Sequence, residues 1–183
     1  MGAVAQVSLE EYERMAKAGA FGERRLEYIR GEVREMSPKG DRHEDMVDHL
    51  EEWSHEVVRG QPVRVRVQNS LRLPGIQTLP EPDLAWVVRR RYSRRKPEAG
   101  DVYLLIEVAE SSLDYDLGEK AELYAAADIR DYWVVDLIAA RIVVHRDPAE
   151  SHYRSVQSVS GNQQIRPLAF PEIVLRAKSL WEE

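Results

Sequence analysis

No cysteine occurs among the 183 residues. That removes disulfide frameworks, thiolate zinc sites and cysteine nucleophiles, and leaves any metal to oxygen or imidazole ligands. No apolar run approaches the roughly 20 residues that a membrane-spanning helix needs. The opening Met1-Gly2-Ala3-Val4-Ala5-Gln6-Val7 has neither the basic segment nor the apolar stretch of a secretory signal. A cytoplasmic protein with no membrane partner is expected. Also missing are a Gly-rich phosphate loop, a dinucleotide-binding glycine turn, a Gly-x-Ser-x-Gly elbow and a His-Glu-x-x-His helix. These absences exclude the common kinds of kinase, dehydrogenase, esterase and zinc protease. Positive charge is in deficit, 26 Lys and Arg against 32 Asp and Glu for a net −6, so overall charge does not draw the chain to nucleic acid.

What is present is a globular balance of 43% hydrophobic and 32% charged residues. With no repeat, low-complexity tract or linker, residues 1–183 read as a single domain. Ser8 and Glu11 form a capping-box pattern, and Leu9, Tyr12, Met15 and Ala16 recur at helical spacing until Gly19 offers a C-cap. Arg25 to Ile29 and Val33 to Met36 flank Arg30-Gly31-Glu32 as a tight hairpin that opens a sheet and covers one edge. After the break at Pro38-Lys39-Gly40-Asp41, the residues Met46, Val47, Leu50, Trp53, Val57 and Val58 trace one apolar helical stripe as far as Gly60. Val63, Val65 and Val67 alternate with Arg64, Arg66 and Gln68, the period of a half-buried strand, and Ser70 to Leu73 continues it or adds another.

The centre of the chain carries the chemistry. Prolines at 80 and 82 stiffen the approach to Asp83, because a residue before proline is pushed out of the helical region. Asp83 heads the apolar run Leu84 to Val88, and Glu107 ends a second, unbroken run that reads as a strand buried on both faces. Two carboxylates at the ends of neighbouring strands can converge on Mg²⁺, or on Mn²⁺, since hard cations take oxygen ligands and keep waters for substrate phosphates. A helix after Asp114 carries Leu117, Lys120, Ala121 and Tyr124 on one side and ends at Asp128, which tolerates a left-handed C-cap. Lys120 there either completes a phosphodiester-cleaving site or pairs with Asp116 on a solvated face.

Between the two runs lie Arg89, Arg90, Arg91, Arg94, Arg95 and Lys96, with Tyr92 among them. This basic loop suits phosphate contacts with Tyr92 stacked on a base, or equally the protection of a sheet edge. Tyr132 to Asp136, Arg141 to His145 and Tyr153 to Val159 read as further strands, and residues 167–183 as a short helix or ordered tail anchored by Leu180 and Trp181. Strands alternating with helices imply α/β with a central mixed sheet flanked by helices and hairpins at both ends.

Several of these motifs occur together in a known family. Pro82-Asp83, the run Ile106-Glu107-Val108-Ala109-Glu110-Ser111-Ser112, then Tyr115-Asp116-x-Gly118-x-Lys120-x-x-x-Tyr124-Ala125 and Asp131 to Asp136 resemble the Uma-two-type endonucleases. Those belong to the PD-(D/E)XK, or restriction-endonuclease-like, superfamily. Leu26-Glu27-x-x-x-Gly31-Glu32, Ser37-Pro38 and His43 extend the likeness over nearly the whole chain. The resemblance implies a restriction-endonuclease-like fold and a Mg²⁺-dependent endonuclease that hydrolyses DNA. Asp83 and Glu107 would be its metal-binding carboxylates and Lys120 its catalytic lysine. The superfamily's usual lysine position, two residues after the second carboxylate, is Ala109 here, so the resemblance implies that the lysine has moved to the following helix. Glu32, His43 and Gln68 are further candidates, with a surface or structural role as the plainer reading of each. The two-stranded substrate and the superfamily imply a homodimer. The alternative is a nuclease-fold module without turnover that binds nucleic acid or a protein partner, which Ala109 favours.

Overall fold

The capping box forms as expected. The Glu11 N–H donates to the Ser8 hydroxyl and the Ser8 N–H to the Glu11 carboxylate at 2.9 Å, starting α1 (Leu9–Lys17). The structure, a computed structural model, describes residues 6–182. Residues 1–5, on which most of the expectation of no signal sequence rests, and residue 183 of the expected tail lie outside the described residues.

β1 (Leu26–Ile29) and β2 (Glu32–Glu35) pair antiparallel through Arg30 and Gly31, both at positive φ (48° and 90°), the two-residue turn whose twist suits a hairpin. This hairpin is a two-stranded sheet of its own and adds no strand to the main sheet. It is held instead by Tyr28, which packs with Leu9, Tyr12 and Leu79 and stacks on Tyr12. α2 (Asp41–Val57) starts at Gly40 with no side-chain cap and buries Met46, Val47 and Leu50. Within the same stripe Ser54 is fully buried and accepts from the Trp86 indole N–H at 2.9 Å, which satisfies both groups.

The main sheet has six strands in chain order: β3 (Val63–Val67), β4 (Leu84–Val88), β5 (Val102–Ala109), β6 (Asp131–Asp136), β7 (Arg141–Ala149) and β8 (His152–Ser160). Every pairing is antiparallel except β5 with β6. That one parallel pair demands a crossover, and the crossover supplies the helical layer. One sheet face packs on α2 and the C-terminal segment through Trp86, Leu104, Ile106 and Trp133, and the other packs on the crossover through Ala85, Leu105, Tyr124 and Tyr132. β5 and β6 are thus covered on both faces, which their unbroken apolar runs require.

Two expectations change. Residues 70–73 do not form a strand: Arg72 and Leu73 make isolated bridges only, and Pro74, which has no N–H to offer a ladder, begins a single tight turn (Pro74–Ile76). The helix after Asp114 is two helices, α3 (Leu113–Leu117) and α4 (Glu119–Ala126), broken at Gly118 with φ −101° and ψ −101°. A Cβ at Gly118 would stand 2.7 Å from the Asp114 carbonyl oxygen. Asp128 takes the left-handed conformation (φ 59°) that ends α4.

β7 and β8 form the C-terminal hairpin, and a small pair, β9 (Gln164–Ile165) with β10 (Leu175–Arg176), precedes a one-turn tail (Ala177–Leu180) that buries Leu180. At the β6–β7 turn Asp136 accepts from the N–H groups of Ile138 and Ala139 and from Arg141 Nε at 2.8 Å. Burial opposes ionisation there, but these donors outweigh it and hold the carboxyl below its usual range. No helix among the described residues is long and apolar enough to cross a membrane.

Gly118→Ala should lower stability by roughly 1–3 kcal/mol, the usual cost of forcing atoms into a filled space, read as a lower urea midpoint with unchanged slope. Because the folded-state pKa of Asp136 is depressed, its ionised form contributes stability above the unfolded value of about 3.9 and loses it as pH falls further. Asp136→Asn should therefore destabilise at pH 7, with the gap to the native protein narrowing at pH 3 in thermal melts.

Candidate active site

Antiparallel pairing of Leu84 with Ile106 sets Asp83 beside Glu107 at one end of β4 and β5. The backbone N–H of Asp83 donates to Glu107 Oε2 at 3.2 Å, so the two carboxylates are tied by main chain. They sit in a cleft of about 400 Å³ walled by the first hairpin, the 36–40 segment leading into α2, and the start of the crossover. Among the described residues the cleft also receives Glu27, Lys39, His43, Asp116 and Lys120.

Each group has a definite partner. Asp83 Oδ2 accepts from the Val108 N–H at 3.0 Å and contacts His43 Nε2 at 3.0 Å, while Lys39 Nζ lies 3.4 Å from Oδ1. Glu107 Oε1 accepts from Lys120 Nζ at 3.0 Å and from the Tyr124 hydroxyl at 2.8 Å. Lys120 Nζ is also 3.6 Å from Glu27 Oε1 and 3.8 Å from Asp116 Oδ1. Glu27 is steadied by the Glu81 N–H at 2.9 Å and Asp116 by the Ser112 hydroxyl. His43 Nδ1 is buried with no partner among the described residues.

These surroundings drive the two strand-end carboxyls apart. Burial works to raise Asp83, but the hydrogen bond and charge of His43, then the Val108 N–H and Lys120, hold it below the usual carboxylate range. Glu107 is pushed up to about 8 by burial, against the pull of Lys120 and with Asp83, Asp116 and Glu27 adding repulsion. Burial likewise raises Asp116. Lys120 is itself buried, which disfavours its charge, yet Glu107, Glu27, Asp116 and Asp83 together hold its proton far above the ordinary value. Lys39 is pushed down by burial. A pair of carboxyls with opposed shifts, beside a fixed ammonium in a cleft, is an arrangement that suits acid–base and metal chemistry.

Of the candidates from sequence, the structure brings together Asp83, Glu107, Lys120 and His43. The solvated-face alternative for Lys120 is corrected: its side chain is 7% exposed, because α4 leans its inner side on β5. Glu32 is not in the cleft. Glu27 is buried in the cleft wall instead, whereas Glu32, beside the hairpin turn, is exposed and paired to Arg34 at 2.8 Å. Gln68 stands just past β3 at φ 50° and contributes only its N–H, to the Asp83 carbonyl at 2.9 Å. The basic loop lies at the opposite end of β4 from Asp83. Five strand residues separate them, about 17 Å at the usual rise. Tyr92 is not free to stack on a base, since Arg66 and Arg95 cover its ring at 5.5 and 5.7 Å and its hydroxyl donates to the Val88 carbonyl.

Sequence reading missed Glu27, Lys39 and Asp116 as site residues. Glu27 carries a signal in retrospect: it is the lone charge between apolar residues of a strand whose last three positions are all buried. Asp116 stands four residues before Lys120, across the break at Gly118, a spacing that in an unbroken exposed helix would read as a superficial pair.

The fold and the family can now be set beside known proteins. Residues 9–178 match the model of a family, Uma2, described as "Putative restriction endonuclease". A solved structure described as that of "a putative nuclease belonging to DUF820 from Anabaena variabilis ATCC 29413" superposes with a TM-score of 0.76 at 16% identity, over 96% of this chain and 97% of that one. The similarity to that nuclease is one of fold. No curated protein matches. With a family model spanning nearly all of its length, the chain belongs to the Uma2 family.

Proposed function

We propose that the cleft hydrolyses phosphodiester bonds of DNA with the help of a bound divalent cation, Mg²⁺ or Mn²⁺. The observation that carries the reading is the convergence of Asp83 and Glu107 from adjacent strands beside a buried lysine that donates to Glu107. The donor set fits the ion. Of the ionisable side chains lining the cleft, four carboxyls, Glu27, Asp83, Glu107 and Asp116, and one amine, Lys120, are buried. A buried surplus of carboxyl oxygens favours a hard cation, whose charge would draw them into the ionised form. Among the described residues no three His, Asp or Glu side chains form a complete metal cage. An ion here would be held by one or two carboxylates, with waters and substrate oxygens filling the other positions.

Asp83 and Glu107 would hold the ion, which supplies Lewis acidity toward a phosphoryl oxygen and a bound water made acidic enough to attack. The chain's own groups set the stage for that chemistry. His43 and the Val108 N–H fix the Asp83 carboxylate in its ionised form and in one orientation. Lys120 and Tyr124 fix Glu107 from the other side. Lys120 keeps its proton throughout and presents a fixed positive charge where charge builds on the phosphoryl group. Lys39, on the cleft wall, is placed to meet a substrate phosphate. The reading extends to a homodimer acting in the cytoplasm, one protomer for each strand of the duplex.

Two measurements test it. Supercoiled plasmid should be nicked or linearised in Mg²⁺ or Mn²⁺. Glu107→Gln should abolish cleavage, and Lys120→Met, which keeps the buried stem, should slow it by about 10²–10³-fold, the usual loss for one group that stabilises developing charge. Loss in the glutamine variant alone would leave metal hydrolysis standing without Lys120. No cleavage of plasmid, single strands or RNA by the native protein would favour the nuclease-fold module without turnover. In thermal melts, metal at about 100 times its Kd should raise the native Tm by roughly 5–10 °C through binding to the folded state alone, and should leave Glu107→Gln unshifted.

A further inference from the structure

Basic charge in this acidic protein is strongly segregated. Residues 59–96 hold ten of the 26 Lys and Arg but only two of the 32 acids, so the remainder of the chain is far more acidic than the net −6 suggests. Nine of those ten cations are arginines, the side chain whose planar fork matches phosphate oxygens.

The loop that joins β4 to β5 uses its arginines in two ways. Arg90 and Arg95 turn back onto Asp101, at 2.9 and 2.7 Å, and Arg95 also covers the Tyr92 ring. Burial opposes ionisation of Asp101, but Arg95, the Glu98 N–H and Arg90 keep it charged. The other arginines of the loop, Arg89, Arg91 and Arg94, are exposed and have no acidic partner among the described residues. So too is Arg64 on the edge strand β3, which pairs with Val87 near the same end of the sheet. A loop meant only to blunt an edge has no need of an internal acid that fixes two of its five arginines. A surface that must present the other three in a set arrangement does, because ordering before binding removes an entropic cost.

Placement defines the partner. Arg64 and Arg66 register with Val87 and Ala85, and Ala85 is on the same sheet face as Asp83 and Glu107. The arginine surface therefore begins on the cleft's own face and ends about 17 Å along the strands. At a phosphate spacing of about 3.4 Å per strand, that is roughly five nucleotides from the point of cutting.

We infer that Arg89, Arg91 and Arg94, with Arg64, form a second phosphate-binding surface that grips the backbone of duplex DNA about five base pairs from the cleft. The inference rests on the proposed hydrolysis of DNA and adds where the polymer is held. With Tyr92 occupied by its own arginines, the contact is to backbone and is indifferent to sequence.

The test is fluorescence anisotropy of a labelled 30-base-pair duplex in chelator across a salt series. It compares the native protein with the triple variant Arg89→Ala, Arg91→Ala, Arg94→Ala and with the corresponding triple lysine variant. Thermal melts of each serve as a check that the fold survives. The alanine variant should bind at least about tenfold more weakly at 0.1 M salt, with a slope of log K against log salt shallower by about 2 to 3, since each lost phosphate contact removes about 0.9. The lysine variant should keep most of the slope, as charge is retained. An unchanged slope in the folded alanine variant, or no binding by the native protein, overturns the inference. Plasmid cleavage separates this from the hydrolase reading: native binding with the expected slopes but no cleavage leaves the surface and removes the hydrolase. Cleavage with an unchanged slope in the alanine variant does the reverse.

Discussion

A single buried ammonium is the constraint on which this site depends. Lys120 touches Glu107 and lies within 4 Å of Glu27 and Asp116, three carboxylates from three separate parts of the chain. Burying any one of those acids alone would be costly, and their mutual repulsion would add to the cost. The lysine makes the cluster tolerable, and the cluster in turn holds the lysine charged. It also welds the first hairpin, the central strand and the crossover helix into one wall, so electrostatics here does the job that apolar packing does elsewhere in the fold.

The route by which Lys120 arrives explains its geometry. A lysine two residues beyond Glu107 would share its strand face, but that position is Ala109, fully buried against the crossover. The chain instead breaks at Gly118, redirects α4 over the sheet and delivers Lys120 from above. Tyr124, one turn further on, reaches the same Glu107 oxygen. The parallel pairing of β5 with β6 is what requires a helix at this place, so the sheet topology and the source of the lysine are linked.

Much of this was legible in the residues. The capping box at Ser8, the stripe of α2, the hairpin turn at Arg30-Gly31 and the buried strand ending at Glu107 each rest on local chemistry, and each formed where local chemistry places it. Asp83 and Glu107 were placed at neighbouring strand ends because prolines and an unbroken apolar run mark such ends. What escaped depended on contacts between distant segments. The inward turn of Glu27, the reach of Lys39 to Asp83 and the burial of Asp116 follow from how the hairpin and helices dock, which no local pattern encodes. The distance of the basic loop from the cleft followed from strand direction, and in the one-dimensional chain that loop is Asp83's near neighbour.

The separateness of the first hairpin has a dynamic meaning. Its backbone meets the rest of the structure at the Tyr28–Leu79 bridge and at the Arg30 N–H, which donates to the Thr78 hydroxyl at 3.1 Å, while its side chains pack with Leu9, Tyr12 and Leu79 and pair with Glu119 and Lys120. Cooperative opening units tend to follow such boundaries, with loosely attached motifs unfolding well before the central strands. The cleft therefore straddles a border between the main sheet, whose strand ends bear Asp83 and Glu107, and a separate hairpin that carries Glu27 and is fastened across the border by the Lys120 and Glu119 ion pairs. Widening the cleft at the hairpin would cost those ion pairs and leave the six-stranded sheet, with the carboxylates on it, in register.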